Sequence, residues 1–269
     1  MYKLKSLILL IFLALVTTSC STSPTGRSQM IWKSDAELVA QSTRAFNQMR
    51  SGMPLATDRK KIDFVACVAE AVVGVLDPPL SDIDWELAVF ESKSVNAFAM
   101  PGGKIGVFTG ILEVTEDQHQ LAAVIGHEIA HVTARHSNER ASRASLTGVG
   151  INVAAIILGG GYSGATYTAQ QALKAGADLG ISLPHTRGQE SEADIIGLEY
   201  MAKAGFDPRA AVTLWQRMDA SSDKKPAEFV STHPSSETRI EALVSEWPKT
   251  LPLYNEAQQA GKVPTCSKE

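Results

Sequence analysis

The sequence predicts an α+β fold, mostly helical with one small antiparallel sheet. Two observations carry this. Long segments repeat apolar residues at three- and four-residue spacing, and two short β-type runs flank a Pro-Gly-Gly turn. The length, 269 residues, suits one large domain or two small ones. Composition is that of an ordinary globular chain, 44% hydrophobic and 20% charged, with a net charge of −4. That charge gives no electrostatic footprint for nucleic acid. No P-loop or dinucleotide fingerprint occurs, because "GGGYSG" lacks the spacing and the lysine.

Residues 1–19 read as a secretory signal. Lys3 and Lys5 precede the apolar run "LILLIFLALV", and small residues follow it. A bilayer span needs about 20 apolar residues, so this run is short for one. Cys20 stands where a bacterial lipoprotein signal places its lipidated cysteine. Thr18 and Ser19 fit that pattern, whereas Thr17 replaces the usual Leu, Val or Ile. By the same analogy, Ser21 in place of Asp favours the outer membrane. Residues 20–33 are polar and read as a tether from lipid to domain. With Cys20 lipidated, Cys67 and Cys266 remain. An oxidising periplasm favours a disulfide between them; the alternative is a buried Cys67 and a free tail Cys266.

The main domain is expected over residues 34–250, with a tail over 251–269. Ser34 and Glu37 have capping-box spacing, so a first helix starts there. A second fits 58–76, where Ile62, Val65, Val68, Ala69, Val72 and Val73 recur at helical spacing and "DPP" ends the run. Residues 85–92 read as a strand, and 95–112 as two strands around the Pro-Gly-Gly turn. Thr115 and Gln118 repeat the capping-box spacing ahead of another helix. Residues 144–173 carry no charge, but glycines interrupt their apolar part; packed or interfacial helices and a mobile loop are expected there. A helix over 188–205 stops at Gly205, and Asp207 with Pro208 opens the next. Residues 231–247 form a loop and a last helix.

The Thr115 helix contains "HEIAH". Residues four apart stack on one helical face, so His127 and His131 can address one ion. Glu128, one step round, is better placed to hold a water than to ligate. Two ligands and a general base suit a catalytic zinc site, which needs a third ligand and an open position. In "QESEAD", Glu190 and Asp194 share a face; Glu190 is the expected third ligand, and Asp194 orients a ligand histidine. Glu192 lies roughly 200° round the helix and is expected to be solvated.

"HEIAHVTARH", "QESEADIIGLEYMAKAGFDP" and "THPSSETRI" together closely resemble the HtpX/BepA-like zinc metallopeptidases, peptidase family M48, in their periplasmic lipoprotein branch. The resemblance runs from about residue 34 to residue 247. It implies a zincin-like, gluzincin-type domain with one Zn2+ per chain and endopeptidase activity on proteins. His127, His131 and Glu190 are then the metal ligands and Glu128 the base. "VNAFAMPGG" resembles the family's edge strand beside the active site, with Asn96 and Ala97 as expected substrate contacts. His233 precedes Pro234, so it belongs in a loop and could donate to the oxyanion; Arg239 could assist it. His119 and His136 read as helix-surface residues, and His185 is left open between a supporting role and none.

The expected activity is hydrolysis of misfolded or unassembled envelope proteins in the bacterial periplasm, from a lipid anchor on Cys20. The expected partners are those substrates and the outer-membrane assembly machinery. The rival is a chaperone-like assembly factor whose zinc site is latched and turns over little.

Overall fold

The computed structural model describes residues 20–146, 185–221, 229, 233 and 237–268. The signal segment and most of the uncharged stretch lie outside these residues. Among the described residues, no helix is long and apolar enough to cross a membrane.

The described residues open with a small hairpin, β1 (Cys20–Thr22) against β2 (Ser28–Met30), where a polar tether was expected. Two helices follow, α1 (Asp35–Gly52) and α2 (Arg59–Val73). Asp58 caps α2 by accepting from the Lys60 amide, whereas Ser34 ahead of α1 makes no side-chain cap. Then come β3 (Glu86–Phe90), β4 (Ala97–Met100) and β5 (Lys104–Phe108). Their order is β3-β5-β4. The hairpin of β4 and β5 is antiparallel as expected, but β3 joins β5 in parallel, so the sheet is mixed. The outer edge of β3 is covered: Ala56 donates to the Val89 carbonyl and Glu91 to that of Pro54. β4 forms the opposite edge.

The histidine-bearing helix is α3 (Gln118–Thr133). Its cap is Asp117, which accepts from the His119 and Gln120 amides; Thr115 instead bonds back to Ile111. Every residue from Gln120 to His131 is buried, so α3 is the central element. It packs against the sheet, α2, and α5 (Arg187–Lys203). A true capping box of Thr186 and Gln189 starts α5, and Gly205, at φ +88°, lies just beyond its end. Between α3 and α4 (His136–Leu146), Arg135 takes φ +55°, which breaks the helix and turns the chain. The C-terminal part holds, among the described residues, α6 (Ala210–Ser221), α7 (Glu237–Ser245) and α8 (Trp247–Gln259), the last of these not expected from the sequence. The first half of the expected tail, 251–259, is thus helical, and Cys266 beyond this helix forms a disulfide with Cys67 on α2.

The contact that positions the site is the crossing of α3 and α5. A Cβ added at Gly126 would lie 2.9 Å from the Gly197 carbonyl oxygen, and one at Gly197 would lie 2.8 Å from the His127 nitrogen. Two glycines let the backbones touch. Gly197→Ala should therefore force the helices apart and destabilise the fold by about 1–3 kcal/mol. Urea melts beside the unaltered protein check this; an unchanged midpoint would contradict the close crossing.

Candidate metal centre

α3 and α5 bring three expected residues together. His127 Nε2 lies 3.0 Å from His131 Nε2, and Glu190 reaches these atoms at 3.4 and 3.5 Å. His233 joins them: its Nδ1 is 3.2 Å from His127 Nε2 and 3.1 Å from Glu190 Oε1. A tetrahedral ion with bonds of about 2.0–2.1 Å needs donors roughly 3.3 Å apart. Two imidazoles, a carboxylate and a third imidazole at these spacings could hold such an ion. All four residues are buried.

Glu128 stands beside this cluster. The Ala99 amide of β4 donates to it. Its Oε1 is buried without a hydrogen-bond partner among the described residues, 3.4 Å from His233 Nε2. Burial pushes its carboxyl above the ordinary value, against the pull of His233 and His127. A carboxylate with a spare, poorly solvated oxygen is suited to take a proton.

Around the four donors lies a shell that fixes their orientation. Asp194 Oδ1 accepts from His127 Nδ1 at 3.0 Å, which leaves Nε2 directed at the centre. Arg239 grips Asp194 with Nε at 2.8 Å and Nη2 at 2.7 Å, and places Nη1 3.2 Å from Glu190. Its guanidinium lies over the Trp215 ring, 3.9 Å from the centroid. Arg239 is therefore turned inward onto carboxylates, not outward to a substrate. Burial would raise the carboxyls of Glu190 and Asp194, but the surrounding cations and hydrogen bonds hold both below the ordinary range. The His127 imidazole is pushed down by burial, yet Asp194 and Glu190 raise it to about 9. Burial, then His185 and His127, hold His131 well below its ordinary value.

The expected substrate contacts separate. Phe108 donates to the Asn96 carbonyl, so in this register Asn96 faces β5, and Ala97 and Ala99 turn outward. The Asn96 side chain covers the Ala97 amide at 2.9 Å. The strand edge, rather than Asn96 itself, borders the site. Phe229 donates to Val95 on the same edge and stacks on His233.

Two expectations about polar residues, His136 at the surface and Glu192 solvated, are corrected. His136 is fully buried, with Nδ1 2.7 Å from His131 Nδ1. His119 is half-buried, and its Nδ1 accepts from the Asp207 amide. Glu192 does point away from the four donors, but it is buried and bonded to His136, Arg27 and Thr25. Burial would raise the Glu192 carboxyl; those bonds hold it far below the ordinary range. His185 is also present, its ring 3.8 Å from that of His131. Buried Arg140 lies close enough to favour the charged forms of Glu190 and Glu128, and its own desolvation lowers it to about 10. Helical spacing finds Glu190 and Asp194; the partners of Glu192 come from the far end of the chain, where no local pattern marks them.

Residues 60–247 match peptidase family M48. The chain belongs to this family. It is 42% identical over 188 residues to the mitochondrial metalloendopeptidase OMA1 of Schizosaccharomyces pombe, covering 68% of this chain and 52% of that protein. It is 32% identical over 259 residues to the mitochondrial metalloendopeptidase OMA1 of Bos taurus, covering 91% and 49%. It is 31% identical over 199 residues to the beta-barrel assembly-enhancing protease of Yersinia pestis, covering 72% and 40%. The chain thus spans about half, or less, of the length of these relatives.

Arg239 is the cation on which two buried carboxylates of this M48 chain depend. Arg239→Gln should cost about 3–5 kcal/mol, because Asp194 and Glu190 would be left buried without it. Saturating zinc should restore part of that loss. Denaturant melts with and without zinc check both; equal stability of variant and parent would contradict the assignment.

Proposed function

We propose that the protein is a zinc-dependent endopeptidase, with His127, His131 and Glu190 as ligands and Glu128 as general base. The observation that carries this reading is the set of donor spacings, 3.0 to 3.5 Å, beside a buried Glu128 oxygen that has no hydrogen-bond partner among the described residues. Bound zinc would supply Lewis acidity, lowering the pKa of water and polarising a carbonyl. Glu128 Oε1 takes the proton of the attacking water and returns it to the leaving amine. Asp194, anchored by Arg239, holds the His127 ring so that its Nε2 would be free to ligate an ion. An extended substrate adds to the outer edge of β4 through the carbonyls of Ala97 and Ala99, whose amides are held by Asn96 and Glu128, which gives affinity with little sequence preference. His233 Nε2, beside Glu128, donates to the oxyanion.

The substrate class is misfolded or unassembled cell-envelope protein, in a bacterial periplasm. A lipid on Cys20 holds the enzyme at the outer membrane, near the assembly machinery. The similarity to the beta-barrel assembly-enhancing protease of Yersinia pestis supports a role in β-barrel assembly. The mitochondrial relatives support the protease chemistry but a different compartment.

One observation favours a second reading, an assembly factor with a latched site. His233 Nδ1 sits where a fourth ligand would, and Phe229 of the same segment bonds to the β4 edge. The segment would then have to shift before substrate enters, which requires two positions a few kcal/mol apart.

Two substitutions test these readings. Glu128→Gln should keep one zinc per chain and lose at least about 100-fold in casein hydrolysis. Loss of zinc in that variant would show that Glu128 was misassigned. His233→Ala should let a chelator strip zinc faster. Its turnover should fall about 10²-fold if oxyanion stabilisation dominates, and rise if latching does. Unchanged turnover together with unchanged stripping would remove His233 from the site.

A further inference from the structure

The zinc ligand His127 is oriented by Asp194, a direct carboxylate partner. Among the described residues, His131 has no carboxylate at its outer nitrogen. Its Nδ1 meets another histidine, His136 Nδ1, at 2.7 Å. His136 Nε2 in turn meets Glu192 Oε2 at 3.1 Å. His136 and Glu192 are buried, and neither contributes to the four-donor cluster.

The protons along this chain follow from the chemistry. Glu192 is an ionised carboxylate and only accepts, so His136 Nε2 carries the hydrogen. His136 Nδ1 is then bare and accepts from His131 Nδ1–H. That leaves His131 Nε2 without a hydrogen, directed at the metal donors. One acid thus sets the tautomer of a ligand two rings away.

Glu192 is itself fixed from the N-terminal hairpin. Thr25 Oγ1 donates to its Oε1 at 2.7 Å, and Arg27 Nε to its Oε2 at 2.9 Å. The other guanidinium nitrogens of Arg27 bind Glu139 at 3.0 and 2.7 Å. Gln29 of the same hairpin donates to the Ala134 carbonyl at 2.5 Å. That carbonyl lies at the break where Arg135, at φ +55°, turns His136 back onto His131. A left-handed backbone is sterically unfavourable for a non-glycine residue, so the turn needs such support.

We propose that His136 is a positioning residue for the zinc ligand His131, held in its working tautomer by Glu192 and fastened there by Thr25 and Arg27 of the hairpin that follows Cys20. Docking of the N-terminal hairpin thereby sets how tightly the site holds zinc. This rests on the zinc reading given above.

The test is competition between the purified chain and a chromophoric chelator for zinc, with melting of the zinc-free proteins measured alongside. His136→Ala and Glu192→Gln should bind zinc about 10- to 100-fold more weakly. Arg27→Ala, at the rim of the network, should lose less, about 3- to 10-fold. His136→Asn places an acceptor oxygen where Nδ1 lies, and should recover most of the affinity lost in His136→Ala. If His136→Ala does not fold, His136→Asn and Arg27→Ala decide. Zinc affinity within twofold of the parent in both His136→Ala and Arg27→Ala would overturn the proposal. So would His136→Asn binding as weakly as His136→Ala, because a merely structural histidine would give that result. Two zinc ions in the parent, one of them lost in His136→Ala, would make His136 a ligand in its own right and also overturn it. A parent protein that takes up no zinc would sink the metal-centre reading itself, and this inference with it.

Discussion

The structure depends on how closely α3 and α5 approach. Gly126 and Gly197 bring backbone against backbone, so that two histidines from one helix and a glutamate from the other share a single small volume. A methyl group at either glycine would meet main-chain atoms, which cannot move aside as a side-chain end can. Everything else in the site is arranged around this crossing. α2, α6 and the sheet bury the remaining surface of α3, and the Cys67–Cys266 link ties the C-terminal segment to α2.

Such a crossing concentrates charge where water is scarce. Glu128, Glu190 and Asp194 are all buried within a few ångströms of one another's partners. Isolated ions in that setting would be strongly unfavourable. Arg239 offsets two of the three by bridging Asp194 and Glu190, and a dication among the four donors would offset the rest. Five of the chain's six histidines gather here, and burial keeps His131 and His185 uncharged, as metal ligation or stacking requires.

Much of this was legible in the sequence, for local reasons. Four-residue spacing places His127 with His131 and Glu190 with Asp194, because the α-helix fixes which side chains share a face. Two β-type runs around Pro101–Gly103 mark the β4–β5 hairpin. The failures are non-local. Glu192 looked solvated because helix geometry says only that it leaves the Glu190 face; its partners Arg27 and Thr25 lie 165 and 167 residues away. His136 looked like a surface residue because a continuous helix would carry it away from His131; the positive φ at Arg135 folds it back. The parallel pairing of β3 depends on which side of β5 it docks, which no strand pattern encodes. Asp117 displaced Thr115 as the cap of α3 because its carboxylate reaches two amides at once.

The central claim is that these side chains form one zinc site without thiolate. Zinc K-edge X-ray absorption on the purified chain tests it most directly. The account predicts one zinc per chain, with nitrogen and oxygen neighbours at about 2.0–2.1 Å and multiple-scattering features of at least two imidazoles. Sulfur neighbours at about 2.3 Å, or no stoichiometric zinc at all, would contradict it.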